Sequence, residues 1–317
     1  MVLKKSLSFS LNADRAPQLE AQVRCLLMLM KRRVILICAI GVLLLFFVGT
    51  WLAGSLLSAT ANQPVGNLPS DLAGSPVQFP SESGATIHGW LIPGKKGAGA
   101  IILMHGVRAN RLSMLDRARF LSHADYSVLL FDFQAHGEST GEHITFGYLE
   151  SMDAQAAVSF LRSNAPDEKI GVIGVSLGGA AVLLASPPLD VNAMVLEMVY
   201  PTINQAITNR LTMRLGGWAG SLTPLLSWQF KPRLGIAAEV LRPIDHIGSI
   251  SSPKLLIVGA EDQHTTLEES RRMFDAAREP KELWVVNGAK HVDLYRVAKK
   301  EYEEHVVAFF GKYLRPQ

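Results

Sequence analysis

Hydrophobic positions along this chain fall into three patterns, and each predicts a different element. Residues 34–57 (VILICAIGVLLLFFVGTWLAGSLL) carry no charge over 24 positions. At the helical rise that is about 36 Å, enough to cross a hydrocarbon layer of about 30 Å with modest tilt. A core helix would show polar positions at helical period, and this run has almost none. One transmembrane helix is therefore predicted at 34–57.

From about residue 76 a second pattern takes over, in which short apolar runs alternate with longer amphipathic ones. AIILMHG (100–106), YSVLLFDF (126–133), KIGVIGVS (169–176), NAMVLEMV (192–199), PKLLIVGA (253–260) and ELWVVNGA (282–289) read as buried strands. Helical periodicity falls between and after them, at 111–124, 148–164, 266–279 and about 295–314. Strands alternating with helices predict an α/β domain with a doubly wound, mostly parallel sheet covered on both faces.

The third pattern breaks the alternation. Residues 200–240 mix Met213, Trp218, Trp228, Phe230 and several leucines with Pro201, Pro224 and Pro232. The stretch is too long for a plain connection and predicts a small helical cap inserted in the domain. Trp218 and Trp228 suit either an acyl pocket or the packing core of that cap. Residues 58–75, small and polar with two prolines, read as a linker. The expected organisation is a basic segment 1–33, an anchor 34–57, a linker 58–75 and a catalytic domain 76–317 with its cap near 200–240.

Charge adds an orientation. Residues 1–33 hold seven Lys and Arg against Asp14 and Glu20, a net of +5, with Lys31, Arg32 and Arg33 abutting the apolar run. Positive flanks stay on the cytoplasmic side, so the N-terminus is expected in the cytoplasm and the domain across the membrane, in the periplasm or outside. The alternative is a secreted protein cleaved near Ala61 in an Ala59-Thr60-Ala61 site, with Met28 or Met30 as the start. The rest of the chain is slightly acidic, 24 basic against 26 acidic residues. The overall basicity is thus a property of the anchor and no argument for nucleic acid. Both cysteines, Cys25 and Cys38, precede or lie in the apolar run, so the domain can hold no disulfide, thiolate-bound metal or cysteine nucleophile. No histidine pair has ligand spacing beside carboxylates, and no metal is expected.

The chemistry centres on Gly174-Val175-Ser176-Leu177-Gly178-Gly179, which follows a predicted strand and opens an alanine- and leucine-rich helix. That is the setting of a G-x-S-x-G nucleophile elbow, in which the serine stands on a sharp strand-to-helix turn. Without strand and helix, such a motif arises by chance, and Ser176 would merely cap a helix. A serine hydroxyl needs a base and an orienting acid, in the chain order Ser, Asp or Glu, His. His291, in a loop straight after the WVV strand, is the candidate base. His305 falls mid-helix in EYEEHVVAFF and is expected to be solvated or half-packed. Asp262, one step past the LLIVGA strand beside Glu261, is the candidate acid, with Glu197 as fallback and Asp293 as a local loop group. Oxyanion donors are expected from the backbone N–H groups of Leu177 and of Val107, which follows His105-Gly106. His105 itself is expected to be structural.

Over residues 76–314 the sequence resembles the α/β-hydrolase superfamily, and in particular bacterial esterases and serine-aminopeptidase-like members. The resemblance rests on His105-Gly106-Val107, on Asp132-Phe133-Gln134-Ala135-His136-Gly137-Glu138-Ser139, on Gly174 to Gly179, on Gly259 to Asp262 and on Gly288 to His291, all in the family's order. It implies the α/β-hydrolase fold and hydrolysis of an ester or thioester of a small or acyl substrate through an acyl-serine, with no cofactor. A peptidase or amidase on the same triad, or a non-catalytic binding protein of that fold, are the alternatives. Asp132, His136 and Ser139 are implied to fix a loop by internal hydrogen bonds. Gln134 and Ala135 depart from the family's Arg-Gly, which puts the packing of that loop in question. The absence of an HGGG run argues against the lipase and hormone-sensitive branch.

Overall fold

A computed structural model describes residues 16–291 and 293–316. The chain divides into two compact units, one ending at Ala53 and one running from Gly54. The first unit is helical: helix α1 spans Ala16–Ser58, so the apolar run is the second half of a longer helix that starts in the basic segment. Its leucine, isoleucine, valine and phenylalanine side chains are exposed on all sides, which suits contact with acyl chains rather than a protein core. Pro17–Ser58 is by length and composition a candidate membrane span. The cations Lys4, Lys5 and Arg15 of the expected cytoplasmic segment lie outside the described residues.

The second unit is built on an eight-stranded sheet. Its strands are β1 (Ser75–Pro80), β2 (Thr86–Ile92), β3 (Ala100–Met104), β4 (Ser127–Phe131), β5 (Ile170–Val175), β6 (Ala193–Glu197), β7 (Lys254–Gly259) and β8 (Lys281–Val286). Their spatial order is β1-β2-β4-β3-β5-β6-β7-β8. Pairing is parallel from β4 to β8 and antiparallel for β1 with β2 and β2 with β4. The six strands predicted from apolar runs are β3 to β8. Neither strand of the antiparallel pair shows such a run: β1 is a mostly exposed edge strand carrying Pro76 and Pro80, a place where proline costs no ladder bond, and the buried Ile87, Trp90 and Ile92 of β2 are interrupted by His88 and Gly89.

The helices of this unit are α2 (Leu115–His123), α3 (Tyr148–Asn164), α4 (Leu177–Leu184), α5 (Ile203–Leu215), α6 (Thr223–Ser227), α7 (Phe230–Leu234), α8 (Pro243–Ile247), α9 (Leu267–Ala276), α10 (Leu294–Val297) and α11 (Lys299–Leu314). Alternate strand residues feed opposite faces of the sheet. Ile102 and Met104 join the core under α3, α4 and α9, whereas Ile101 and Leu103 join the core under α2 and α11. Both faces are closed, and the architecture is the doubly wound α/β fold. Between β6 and α8, residues 200–240 form α5, a 3-10 turn at Gly217–Leu222, α6 and α7, a helical insertion referred to below as the cap. The segment read as a linker is tied to the domain. Ala61 and Asn62 pair in parallel with His136 and Gly137, and Asn62 Nδ2 donates to Ser139 O at 2.6 Å.

Candidate active site

Strand β5 delivers Ser176 into a turn of φ 49°, ψ −103°, after which Leu177 opens α4. Positive φ is costly for a residue with a Cβ and persists only where the surroundings enforce it. Here the enforcement is close packing on either side. A Cβ on Gly174 would stand 2.6 Å from Gly179 N, and one on Gly178 would stand 2.4 Å from Met104 O. The two flanking glycines are thus what allows helix and strand to meet at this angle. The Ser176 N–H donates to Glu197 O at 2.8 Å, which fixes the turn to the end of β6.

The loop after β3 passes beside the serine, since a Cβ on Gly106 would lie 3.9 Å from Ser176 Cβ. His105 holds that loop. Its Nδ1–H donates to Gly106 O at 2.8 Å, and its Nε2 accepts from Phe133 N at 3.1 Å. Both bonds are satisfied by one neutral tautomer, and burial presses the ring's pKa down to about 3. A histidine so engaged has no free nitrogen for proton transfer, which agrees with its expected structural role. Among the described residues the N–H groups of Val107 and Leu177 donate to no protein acceptor.

Strand β7 ends at Gly259, and the turn after it presents Asp262. The carboxylate is buried and its Oδ1 accepts two backbone bonds, from His264 N at 2.7 Å and Thr265 N at 2.9 Å. Its Oδ2 lies 2.7 Å from His291 Nδ1, so the bond places the proton on Nδ1 and leaves Nε2 as an acceptor. His291 is half-buried. Among the described residues no hydrogen bond joins the Ser176 hydroxyl to His291. Such bonds are often long before substrate is bound. The structure therefore brings Asp262 and His291 into contact and sets Ser176 at the carboxyl end of β5, on the sheet edge from which Asp262 also rises.

The other acids and histidines weighed from sequence are employed elsewhere. Glu197 is fully buried and takes Arg117 Nε at 3.0 Å and Nη2 at 2.7 Å, with the Tyr302 hydroxyl at 2.5 Å. Its carboxylate is taken up by Arg117 and Tyr302, and the carboxylate in contact with His291 is that of Asp262. Asp293 lies 2.9 Å from Arg117 Nη2, and Glu261 is exposed. His305 is exposed, donating from Nδ1 to Glu301 O in its own helix and stacking on Trp284 at 4.3 Å.

The 132–139 loop is internally bonded. Asp132 accepts from Arg111 N at 2.7 Å and Glu138 N at 2.9 Å and pairs with the Arg111 guanidinium. Ser139 Oγ donates to Asp132 O at 2.6 Å, and His136 Nε2 accepts from Arg108 N at 3.1 Å. Gln134, at the departure from the family's pattern, donates from Nε2 to His143 O at 2.7 Å and to Glu150 at 2.8 Å. Ala135 follows with φ 57°, so the chain keeps a left-handed turn where the family has glycine.

One residue of the site is missed by the chain-order argument. His264 stacks on His291 with centroids 4.7 Å apart and planes at 19°, and its backbone ties Asp262 to α5 through Asn209 Nδ2, 3.1 Å from His264 O. Burial and the neighbouring His291 lower its pKa, so it faces the other ring as a neutral group. Its place two positions after Asp262 was the available signal. Arg117 and Tyr302 were equally silent, because nothing in sequence links them to Glu197 across 80 and 105 residues.

Comparison with known proteins agrees with this architecture. The family model described as serine aminopeptidase, S33, matches residues 95–233. The alpha/beta hydrolase domain-containing protein WAV2 of Arabidopsis thaliana is 27 % identical over 253 residues, covering 74 % of this chain and 77 % of that protein. The uncharacterized protein YqkD of Bacillus subtilis is 26 % identical over 237 residues, covering 73 % and 77 %. Among solved structures, the esterase Pf2001 of Pyrococcus furiosus superposes with a TM-score of 0.67 at 26 % identity, covering 80 % of this chain and 98 % of that one. A parallel sheet with a serine elbow defines the class, and the family model, the relatives and the esterase structures together support the α/β-hydrolase superfamily. Hydrolysis is the reaction class that this fold and its esterase neighbours support.

Proposed function

We propose that this protein is a membrane-anchored serine esterase that cleaves an ester or thioester through an acyl-serine. The observation that carries the proposal is the 2.7 Å bond between His291 Nδ1 and the backbone-clamped Asp262, on the same sheet edge as the strained Ser176 turn. In this mechanism His291 Nε2 takes the Ser176 proton as Oγ attacks the carbonyl carbon. Asp262 fixes the tautomer and stabilises the imidazolium. The Val107 and Leu177 amides receive the oxyanion, each contributing about 3 kcal/mol to the transition state. The imidazolium returns its proton to the leaving alkoxide or thiolate. His291 then activates water, which attacks the acyl carbon and restores the Ser176 hydroxyl.

The test is labelling by a fluorophosphonate probe. Wild type is expected to label and Ser176→Ala to be silent; labelling that persists in the variant sinks the assignment. The serine-aminopeptidase description of the matching family model favours one second reading, a peptidase on the same triad. Rates on p-nitrophenyl esters and on aminoacyl-p-nitroanilides separate the two, and the esterase proposal expects the esters to be faster by orders of magnitude.

For localisation we take α1 as a retained anchor with the N-terminus cytoplasmic and the domain on the far side, supported by the length of the apolar run and the cations before it. A signal sequence passes the same length and composition test. Migration of the mature protein distinguishes them, because cleavage near Ala61 would shorten it by about a fifth.

A further inference from the structure

The cap differs from the rest of the domain in charge. Residues 201–238 contain no Asp or Glu and four cations, Arg210, Arg214, Lys231 and Arg233. Beyond residue 33 the chain holds 24 basic and 26 acidic residues, so the part outside residues 201–238 has 20 against 26. Positive charge is thus gathered on the cap of an otherwise acidic domain.

The exposed part of the cap is also apolar. Residues 212–218 are exposed without interruption. Met213 is 42 % exposed, Leu215 53 % and Trp218 68 %, with exposed Arg214 among them. These residues contribute little to the cap's own packing. Helix α5 buries Ile203 and Ala206 near its start, and the 3-10 turn that follows buries Ala219. The helix enters the domain at one end and carries an apolar tip at the other. Scattered exposed hydrophobics are ordinary. A tryptophan, a leucine and a methionine clustered in seven residues around an arginine, in a stretch free of acid, have the composition of an interfacial membrane element.

We propose that residues 212–218 dock on the surface of an anionic bilayer. Trp218, Leu215 and Met213 enter the boundary between headgroups and acyl chains, where an indole is favoured because its ring is apolar and its N–H polar. Arg214 remains at headgroup level, where a basic side chain near an anionic surface gains about 1 kcal/mol. The sign of the cap selects this occupant, since an anionic surface attracts the cap and repels the acidic remainder. Covalent attachment to an apolar helix holds the tip at high effective concentration near lipid, so even weak insertion is populated.

The test uses the full chain with Cys25 and Cys38 changed to serine, one copy per nanodisc of phosphatidylcholine and phosphatidylglycerol. A Gly217→Cys substitution meets nothing within 4 Å and carries an NBD fluorophore beside the intact apolar trio. Blue-shifted emission is expected, quenched by headgroup-proximal nitroxide lipids several-fold more than a label at Lys300→Cys on exposed α11. Adding Trp218→Ser is expected to return most of that quenching. Water-like, unquenched emission at position 217 overturns the proposal. A blue shift without lipid quenching also overturns it, because protein rather than lipid then covers the tip. A separate label at Leu44→Cys reports whether α1 spans the bilayer, so failure of the anchor and failure of the docking tip are told apart.

Discussion

His291 Nδ1 and Asp262 Oδ2 stand 2.7 Å apart, and the other oxygen of the same carboxylate is clamped by the His264 and Thr265 amides. The acid therefore arrives at the histidine already oriented, held by two backbone N–H donors whatever the substrate does.

Asp262→Asn is expected to lower kcat on a p-nitrophenyl ester by about 10⁴, because an amide in this place lets the ring settle in the wrong tautomer. The backbone donors at 264 and 265 can still find the amide oxygen, so folding should survive. Steady-state kinetics alongside a thermal melt checks both halves. A loss of less than tenfold would move the acid's role to another residue.

Much of this was legible beforehand because the signals are local. Ser176 sits in a six-residue motif between a strand and a helix, and β3 to β8 are apolar runs bounded by turn residues. His291 and Asp262 follow from chain order once the serine is placed. What stayed hidden depends on contacts between segments distant in sequence. Strand β1 lacks a buried run because it is the exposed edge of the sheet, and in β2 the buried Ile87, Trp90 and Ile92 are interrupted by His88 and Gly89. His264 becomes part of the site only when its ring lies on His291. Glu197 reads as a plausible acid until Arg117 and Tyr302, brought from α2 and α11, consume its carboxylate.

The Arg117–Glu197 pair is buried completely, and removal of one partner leaves the other charge uncompensated. Arg117→Met is expected to destabilise the domain by about 3–5 kcal/mol, and Glu197→Gln by a similar amount. The double change should cost clearly less than the sum, since it removes both charges together. Chemical denaturation of the two singles and the double closes the cycle. Ester turnover per folded molecule should persist in Glu197→Gln, whereas a catalytic acid at this position would abolish it.

Acid should unfold the domain partly through its buried histidines. His105 is held down to about 3 by burial, and burial also lowers His136, against an ordinary histidine value near 6.5. Their folded pKa values are depressed, so the stability they contribute is fully present above about 6.5. It falls as pH drops toward 3, by about 1.4 kcal/mol per pH unit for each proton taken up on unfolding. Asp153 opposes this, because burial raises it to about 6; the folded state then keeps a proton that the unfolded state loses, and its contribution grows as pH falls from 6 toward 3.8. Stability measured from pH 7 to 4 should therefore decline with a slope that His105→Asn reduces by about one proton. An unchanged slope would mean that His105 titrates normally in the folded protein.

The loop at Ala135 offers the sharpest comparison between two chemically identical changes. Ala135 is fully buried with φ 57°, and Ala157 in α3 is equally buried in a helix. Replacing either by glycine removes one methyl from the core, about 0.8 kcal/mol, and frees the unfolded chain by about 0.4–1 kcal/mol. At Ala135 the change also releases the left-handed penalty of about 1–2 kcal/mol, so the three effects nearly cancel and Ala135→Gly should lie within about 0.8 kcal/mol of wild type. At Ala157 nothing is released, and the loss should reach about 1.2–1.8 kcal/mol on the same sums. Urea unfolding of the two variants measures the gap directly. Equal destabilisation at both sites would show that the left-handed turn at Ala135 carries no strain, and that the departure from the family's glycine costs this loop nothing.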